Sequence, residues 1–281
     1  MFENILVGVD GTPGGRDAIA FATRLAGSQA RTALVHVRAG GHLLRSAGGH
    51  GAGLAKDESE ELLRRERDSA QATGELVSVE ASSPGAGLHR EAERLEADLI
   101  VVGSSSRGLI GRAMLGDDTR GALNGAPCAV AIACRGYDEH PFPVARIGVA
   151  FNGSPESARA LAAAKEIASE TRADVVALEV VGVPSSAYAG LAAAAYGAAM
   201  ERMVAEAKER MEELDGAAGR VAYGVPGEEL SAFSAEVDLL IVGSRSYGPL
   251  RRLVLGSTSD YLARHARSSL LVLARRPDGD D

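Results

Sequence analysis

Two kinds of hydrophobic pattern alternate along the chain. Short continuous apolar runs, such as ILVGV (5–9), DLIVVG (98–103) and AVAIA (129–133), are separated by longer segments in which apolar residues recur every three or four positions. That alternation is the mark of β-α-β units around a parallel sheet. Runs without polar interruption suit strands covered on both faces. In the first half the pattern predicts strands near 4–9, 32–38, 75–80, 98–103 and 128–134, with helices at roughly 14–27, 56–73, 85–96 and 117–125. The second half repeats the series, with its second helix lengthened to about 187–215.

The repetition extends to residue identity. EADLIVVGSSSRGLIGRAMLG (96–116) aligns without gaps to EVDLLIVGSRSYGPLRRLVLG (236–256), and about half the positions agree. Upstream, NILVGVDGTPGGRDAIAFATRLA (4–26) answers to RIGVAFNGSPESARALAAAKEIA (146–168), which sets Asp10 opposite Asn152. Two domains are therefore expected, 1–137 and 144–276, with the polar stretch Tyr137 to Pro143 and its two prolines as the linker.

A five-stranded parallel sheet of this kind is doubly wound, with right-handed crossovers. In strand order 3-2-1-4-5 the winding reverses between strands 1 and 4. Ligands of such sheets bind there, outside the carboxyl ends of the strands. Asp10 or Asn152 at the end of strand 1, and the loop after Gly103 or Gly243 at the end of strand 4, both arrive at that point.

Composition narrows the classes. A formal net charge of -8 and a pI near 5.4 argue against nonspecific nucleic-acid binding, which needs a basic face. The N-terminal MFENILVGVDG has no basic segment leading into a long apolar stretch, so the expected location is cytoplasmic. The most apolar long stretch, AYAGLAAAAYGAAM, runs into charged residues and falls short of the roughly 20 apolar residues that span a bilayer. Cys128 and Cys134 are too far apart along an extended segment to bridge and are read as reduced. Metal is not expected, because His42 and His50 lack further ligands at metal-binding spacing.

The candidate chemistry lies in the strand-4 loops, GSSSRGLIGRAMLGDD (103–118) and GSRSYGPLRRLVLGS (243–257). A helix start preceded by a glycine-rich loop presents unpaired N–H groups and the positive end of a dipole, and so attracts anions. Ser257 or Thr258 could cap such a helix or turn a hydroxyl to a phosphate, and Gly243 would let backbone approach a ligand. The plainer reading is that both glycines serve turn geometry. No GxxxxGK[ST], no GxGxxG between a strand and a helix, and no GxSxG elbow is present.

A strand-1 aspartate and a strand-4 loop of form G-x2-G-x9-G-[ST], on two α/β halves, resemble the universal stress protein family in its tandem form. The resemblance covers nearly the whole chain and implies adenine-nucleotide-α-hydrolase-like domains, some of which bind ATP through this loop. It also implies an adenine contact from backbone at the end of strand 2, Val37 and Val180 here, with Val242 beside the loop. In the family the final strands commonly meet across a dimer axis. In this chain the two halves could pair as an intramolecular pseudo-dimer, with a homodimer of the chain left open.

The chain departs from the motif in both halves. Its second glycine is Ser106 or Ser246, and after Gly116 and Gly256 stand Asp117 and Ser257. An amide at Asn152 keeps an acceptor for a ribose hydroxyl at a cost of about 1 kcal/mol. A carboxylate at Asp117, about 4 Å from a phosphate, repels it by roughly 4 kcal/mol per unit charge. The second loop also carries Arg245, Arg251 and Arg252. The expectation is ATP or a related adenine nucleotide in the second half, with Mg able to accompany it, held by Asn152, Val180, Val242, Gly243, Ser246, Gly256, Ser257 and Thr258. The first-half set, Asp10, Val37, Gly103 and Gly116, is expected to be degenerate. No general base stands near the loop, so at most slow ATP hydrolysis is expected. The alternative is a nucleotide-free interaction module with vestigial sites.

Overall fold

The computed structural model describes residues 2–39, 55–104, 121–182, 193–244 and 252–274. The apolar runs become strands: Phe2–Gly8 (β1), Ala26–Ala39 (β2), Glu75–Ala81 (β3), Leu99–Gly103 (β4) and Ala129–Ala133 (β5), then Arg146–Ala150 (β6), Asp174–Gly182 (β7), Ala218–Gly224 (β8), Leu239–Gly243 (β9) and Ser269–Leu273 (β10). Between them lie the helices Pro13–Leu25 (α1), Lys56–Ser69 (α2), Pro84–Arg94 (α3), Pro155–Thr171 (α4), Ala193–Glu212 (α5), Pro226–Phe233 (α6) and Ser257–His265 (α7). Of the helix expected at 117–125, residues 121–123 are helical and 117–120 lie outside the described residues. The long helix expected from 187 is described from Ala193.

Four helices start for the same local reason. Pro13, Pro84, Pro155 and Pro226 each occupy the first turn, where a missing N–H costs nothing and the fixed φ suits a helix. Ser83 and Ser154 complete two of these starts, their hydroxyls accepting from the N–H of Ala86 and Ser157, both at 3.2 Å.

The strands form one sheet in the order β3-β2-β1-β4-β5-β10-β9-β6-β7-β8. Each half has the internal order 3-2-1-4-5 with parallel neighbours. The halves join where β5 and β10 run antiparallel, Leu270 to Ile132 and Val272 to Val130. The inner strands are sealed on both faces: Leu6, Leu99, Ile100, Val101, Val130, Leu240 and Leu271 have no exposure. One apolar layer gathers α1 and α4 over the sheet in both halves, and the other gathers α3, α6 and α7. The core therefore runs across the junction.

The segment read as a polar linker is a built corner. Tyr137 is buried, edge-on to Phe21 with centroids 5.1 Å apart and to Phe142 at 4.9 Å. Its hydroxyl donates to the Phe142 carbonyl at 2.9 Å. The buried Asp17 carboxylate of α1 accepts from the N–H groups of Gly136 (2.9 Å) and Asp138 (2.8 Å). Composition hid this, because one aromatic ring among polar neighbours decides the conformation.

Both cysteines are free thiols, Cys134 buried and Cys128 half-buried. Burial pushes the Cys128 thiol up to about 12 and raises that of Cys134 as well. Native protein at neutral pH should thus resist iodoacetamide over minutes, whereas denatured protein takes up label at both positions. Rapid labelling of the native chain would contradict this packing.

Candidate functional site

The turn after β6 is shaped by its own side chains. Asn152 Oδ1 accepts from the N–H of Ser154 at 3.1 Å, Asn152 N–H donates to Ser157 Oγ at 3.3 Å, and Gly153 takes φ +77°. Glycine is needed there because the left-handed region is costly for other side chains. The first half has the same turn, with Gly11 at φ +77° and Asp10 Oδ1 accepting from Thr12 N–H (3.0 Å) and Oγ1–H (2.7 Å). Both strand-1 residues therefore hold the bend into the following helix. For a ligand Asn152 retains Nδ2 and the second lone pair of Oδ1.

The strand-4 glycines serve close packing. A Cβ on Gly243 would lie 2.8 Å from Glu156 Cβ and 2.9 Å from the Glu156 carbonyl oxygen. On Gly103 it would lie 2.6 Å from Gly14 Cα, with the Gly14 carbonyl nearer still. The start of the first helix of each half presses on the end of strand 4, so the missing side chain of Gly243 makes room for that helix, while Gly243 also borders a crevice at the strand ends.

At α7 the helix is capped by Gly256, and neither Ser257 nor Thr258 supplies a cap bond. Ser259 does this work, its hydroxyl accepting from Gly256 N–H at 2.9 Å. Of the two roles open to Ser257 and Thr258, capping is filled by Ser259, and a hydroxyl turned toward a phosphate is the other. The N–H groups of Ser257, Thr258 and Ser259 have no acceptor within the helix. Ser257 is exposed and Thr258 half-buried.

These elements frame a crevice of about 570 Å³ at the carboxyl end of the second half's strands. Asn152, Val180, Val242, Gly243, Gly256 and Thr258 of the predicted set line it. Ser257 is adjacent in the chain but is not among the lining residues. Ser246 and Gly116 lie outside the described residues, as do Arg245, Arg251, Asp117 and Asp118. In the first half, Val37 packs against Gly87 and Asp10 is exposed at its turn.

Two further residues alter the electrostatics. Glu156 lines the crevice, with Arg159 at 3.7 Å. The signal was available in the repeat, where PES replaces PGG and Glu156 faces Gly14 in the alignment. Arg252, counted with the cationic loop, pairs instead with Glu93 of the first half at 2.9 Å. Among the described residues no group of three or more His, Cys, Asp or Glu could hold a metal, and no helix is long and apolar enough to cross a membrane.

The profile of the universal stress protein family matches residues 1–133 and again 143–274. A universal stress protein of Mycobacterium tuberculosis is 31% identical over 184 residues, which cover 63% of this chain and 62% of the relative, short of two thirds of its length. A second from the same species is 26% identical over 229 residues, 77% of each chain. Among solved structures, a universal stress protein from Archaeoglobus fulgidus has a TM-score of 0.65 at 17% identity, covering 97% of this chain and 98% of that one. A putative universal stress protein from Pseudomonas aeruginosa gives 0.62 at 17%, covering 97% and 93%. At such identities the structures establish the fold. With both halves matched, the chain belongs to the universal stress protein family.

Proposed function

We propose that the second domain binds an adenine nucleotide, ATP foremost, as a regulatory ligand of a cytoplasmic stress-response protein. The domains are taken as 1–137 and 144–276, with the first-half site degenerate. One observation carries the reading: residues from the ends of β6, β7 and β9 and from the start of α7 converge on a single crevice of about 570 Å³. That lies within the usual range for small-molecule sites. Val180 and Val242 offer an apolar wall for a base, Asn152 sits at the ribose position, and the first turn of α7 offers N–H donors to phosphate. Mg would supply charge neutralisation to the phosphates, and no residue is assigned to hydrolysis.

A nucleotide-free interaction module is the second reading. Glu156 in the crevice and the diversion of Arg252 to Glu93 favour it, since both reduce the attraction for a polyphosphate.

Ser257→Asp separates the two. A carboxylate at the first residue of α7 suits the helix dipole and leaves the fold intact, but it meets a phosphate with repulsion of several kcal/mol before screening. Thermal shift with millimolar ATP should stabilise the native chain, with apparent affinity falling about tenfold or more in the variant. No shift in the native chain would favour the second reading.

A further inference from the structure

The segment that enters the crevice is fastened to the opposite half of the chain. Leu253 is fully buried, its N–H donating to Ala126 O at 2.8 Å and its carbonyl accepting from Gly125 N–H at 2.9 Å. Leu255 N–H reaches Asn124 Oδ1 at 3.4 Å. The Arg252 guanidinium meets Glu93 Oε1 at 2.9 Å and donates to Gly125 O at 3.4 Å. Glu93 lies on α3, and Asn124 to Ala126 form the turn before β5. That turn is held from behind, where His89 Nε2–H donates to Ala122 O at 2.8 Å.

Gly256 follows Leu255 directly, and it both caps α7 and lines the crevice. Only Val254, Leu255 and Gly256 separate the paired backbone of Leu253 from the Ser257 N–H, the first donor a phosphate would meet. Such a short connection has little slack, so the place of the α7 first turn follows the place of the junction. Hydrogen bonds from these N–H groups weaken steeply once their direction is lost, so a shift of the first turn weakens the hold on a phosphate.

We propose that Glu93 of the first half is a positioning residue for the nucleotide site of the second, acting through Arg252 and the Leu253 pairing. The ligand in this proposal rests on the reading under Proposed function, whereas the positioning is a property of the ligand-free chain. The first half, with its own motif degraded, thereby contributes to the better-preserved site.

Charge exchange tests this on the full chain. Glu93→Arg and Arg252→Glu each place like charges together, and Glu93→Arg/Arg252→Glu restores opposite ones. Both side chains are about half exposed, so all three variants should fold with little change in Tm. Each single variant should weaken ATP by about fivefold, the upper end for an exposed pair, and speed amide exchange at residues 256–260 in the ligand-free protein. The double variant should recover both. Singles that match the native chain would overturn the proposal, as would a double variant as weak as Arg252→Glu alone, because Arg252 would then act on the ligand directly. If the native chain binds no ATP, the nucleotide reading fails and amide exchange alone decides the positioning: exchange unchanged in the singles overturns it, and recovery in the double supports it.

Discussion

Gly103→Ala is expected to lower stability by about 3 kcal/mol or more, while Gly243→Ala at the matching position costs about 1–2 kcal/mol. The two glycines end equivalent strands of the repeat, so sequence alone assigns them equal weight. Their surroundings differ. The Gly103 methyl would drive into the backbone of Gly14, and backbone cannot rotate away. At Gly243 the nearest atoms are Glu156 Cβ at 2.8 Å and its carbonyl oxygen at 2.9 Å, a contact relieved by a smaller shift. Thermal denaturation should therefore show a fall of the order of 6–10 °C for Gly103→Ala and clearly less for Gly243→Ala. Equal losses would mean that the first helices are not seated on the strand ends as described.

The second large effect is expected at Tyr137. Tyr137→Ala removes a ring buried between Phe21 and Phe142 and should cost about 3–5 kcal/mol. Tyr137→Phe keeps the ring and loses only the bond to Phe142 O, for about 1 kcal/mol. Burial also pushes the hydroxyl up to about 12, so it stays protonated and donating throughout the neutral range. Urea denaturation of the two variants measures the difference. A flexible linker would give small and similar losses for both, and that outcome would refute the corner.

Most of the architecture was legible because it depends on patterns that repeat. Apolar runs without alternation marked the buried strands, and the aligned halves supplied the same series twice. Pro13 and Pro155, which open α1 and α4, stand opposite each other in the aligned segments. What escaped depends on partners distant in sequence. Tyr137 looks like a linker residue until Phe21 is brought to it. Arg252 looks like part of a cationic loop until Glu93 arrives from the other half.

The site was legible to the same degree. Topology marked the switch point, with Asn152 at the end of strand 1, whereas Val180 came from the family resemblance and Gly256 from the loop motif; all three line one crevice. The division of labour within it did not, because capping falls to Ser259 and the glycine of strand 4 answers to the helix packed on it. Glu156 was missed for a different reason. It stands outside the glycine motif, at the start of the first helix of the second half, and only the fold sets that carboxylate on the same crevice.

A single nucleotide site, in the second domain, follows from the proposed function. Calorimetric titration of the full chain with ATP and Mg measures it most directly. About one nucleotide per chain is expected, with affinity about tenfold or more weaker in Ser257→Asp and unchanged in Asp10→Ala. No heat in the native chain, or binding abolished by Asp10→Ala and untouched by Ser257→Asp, would contradict it.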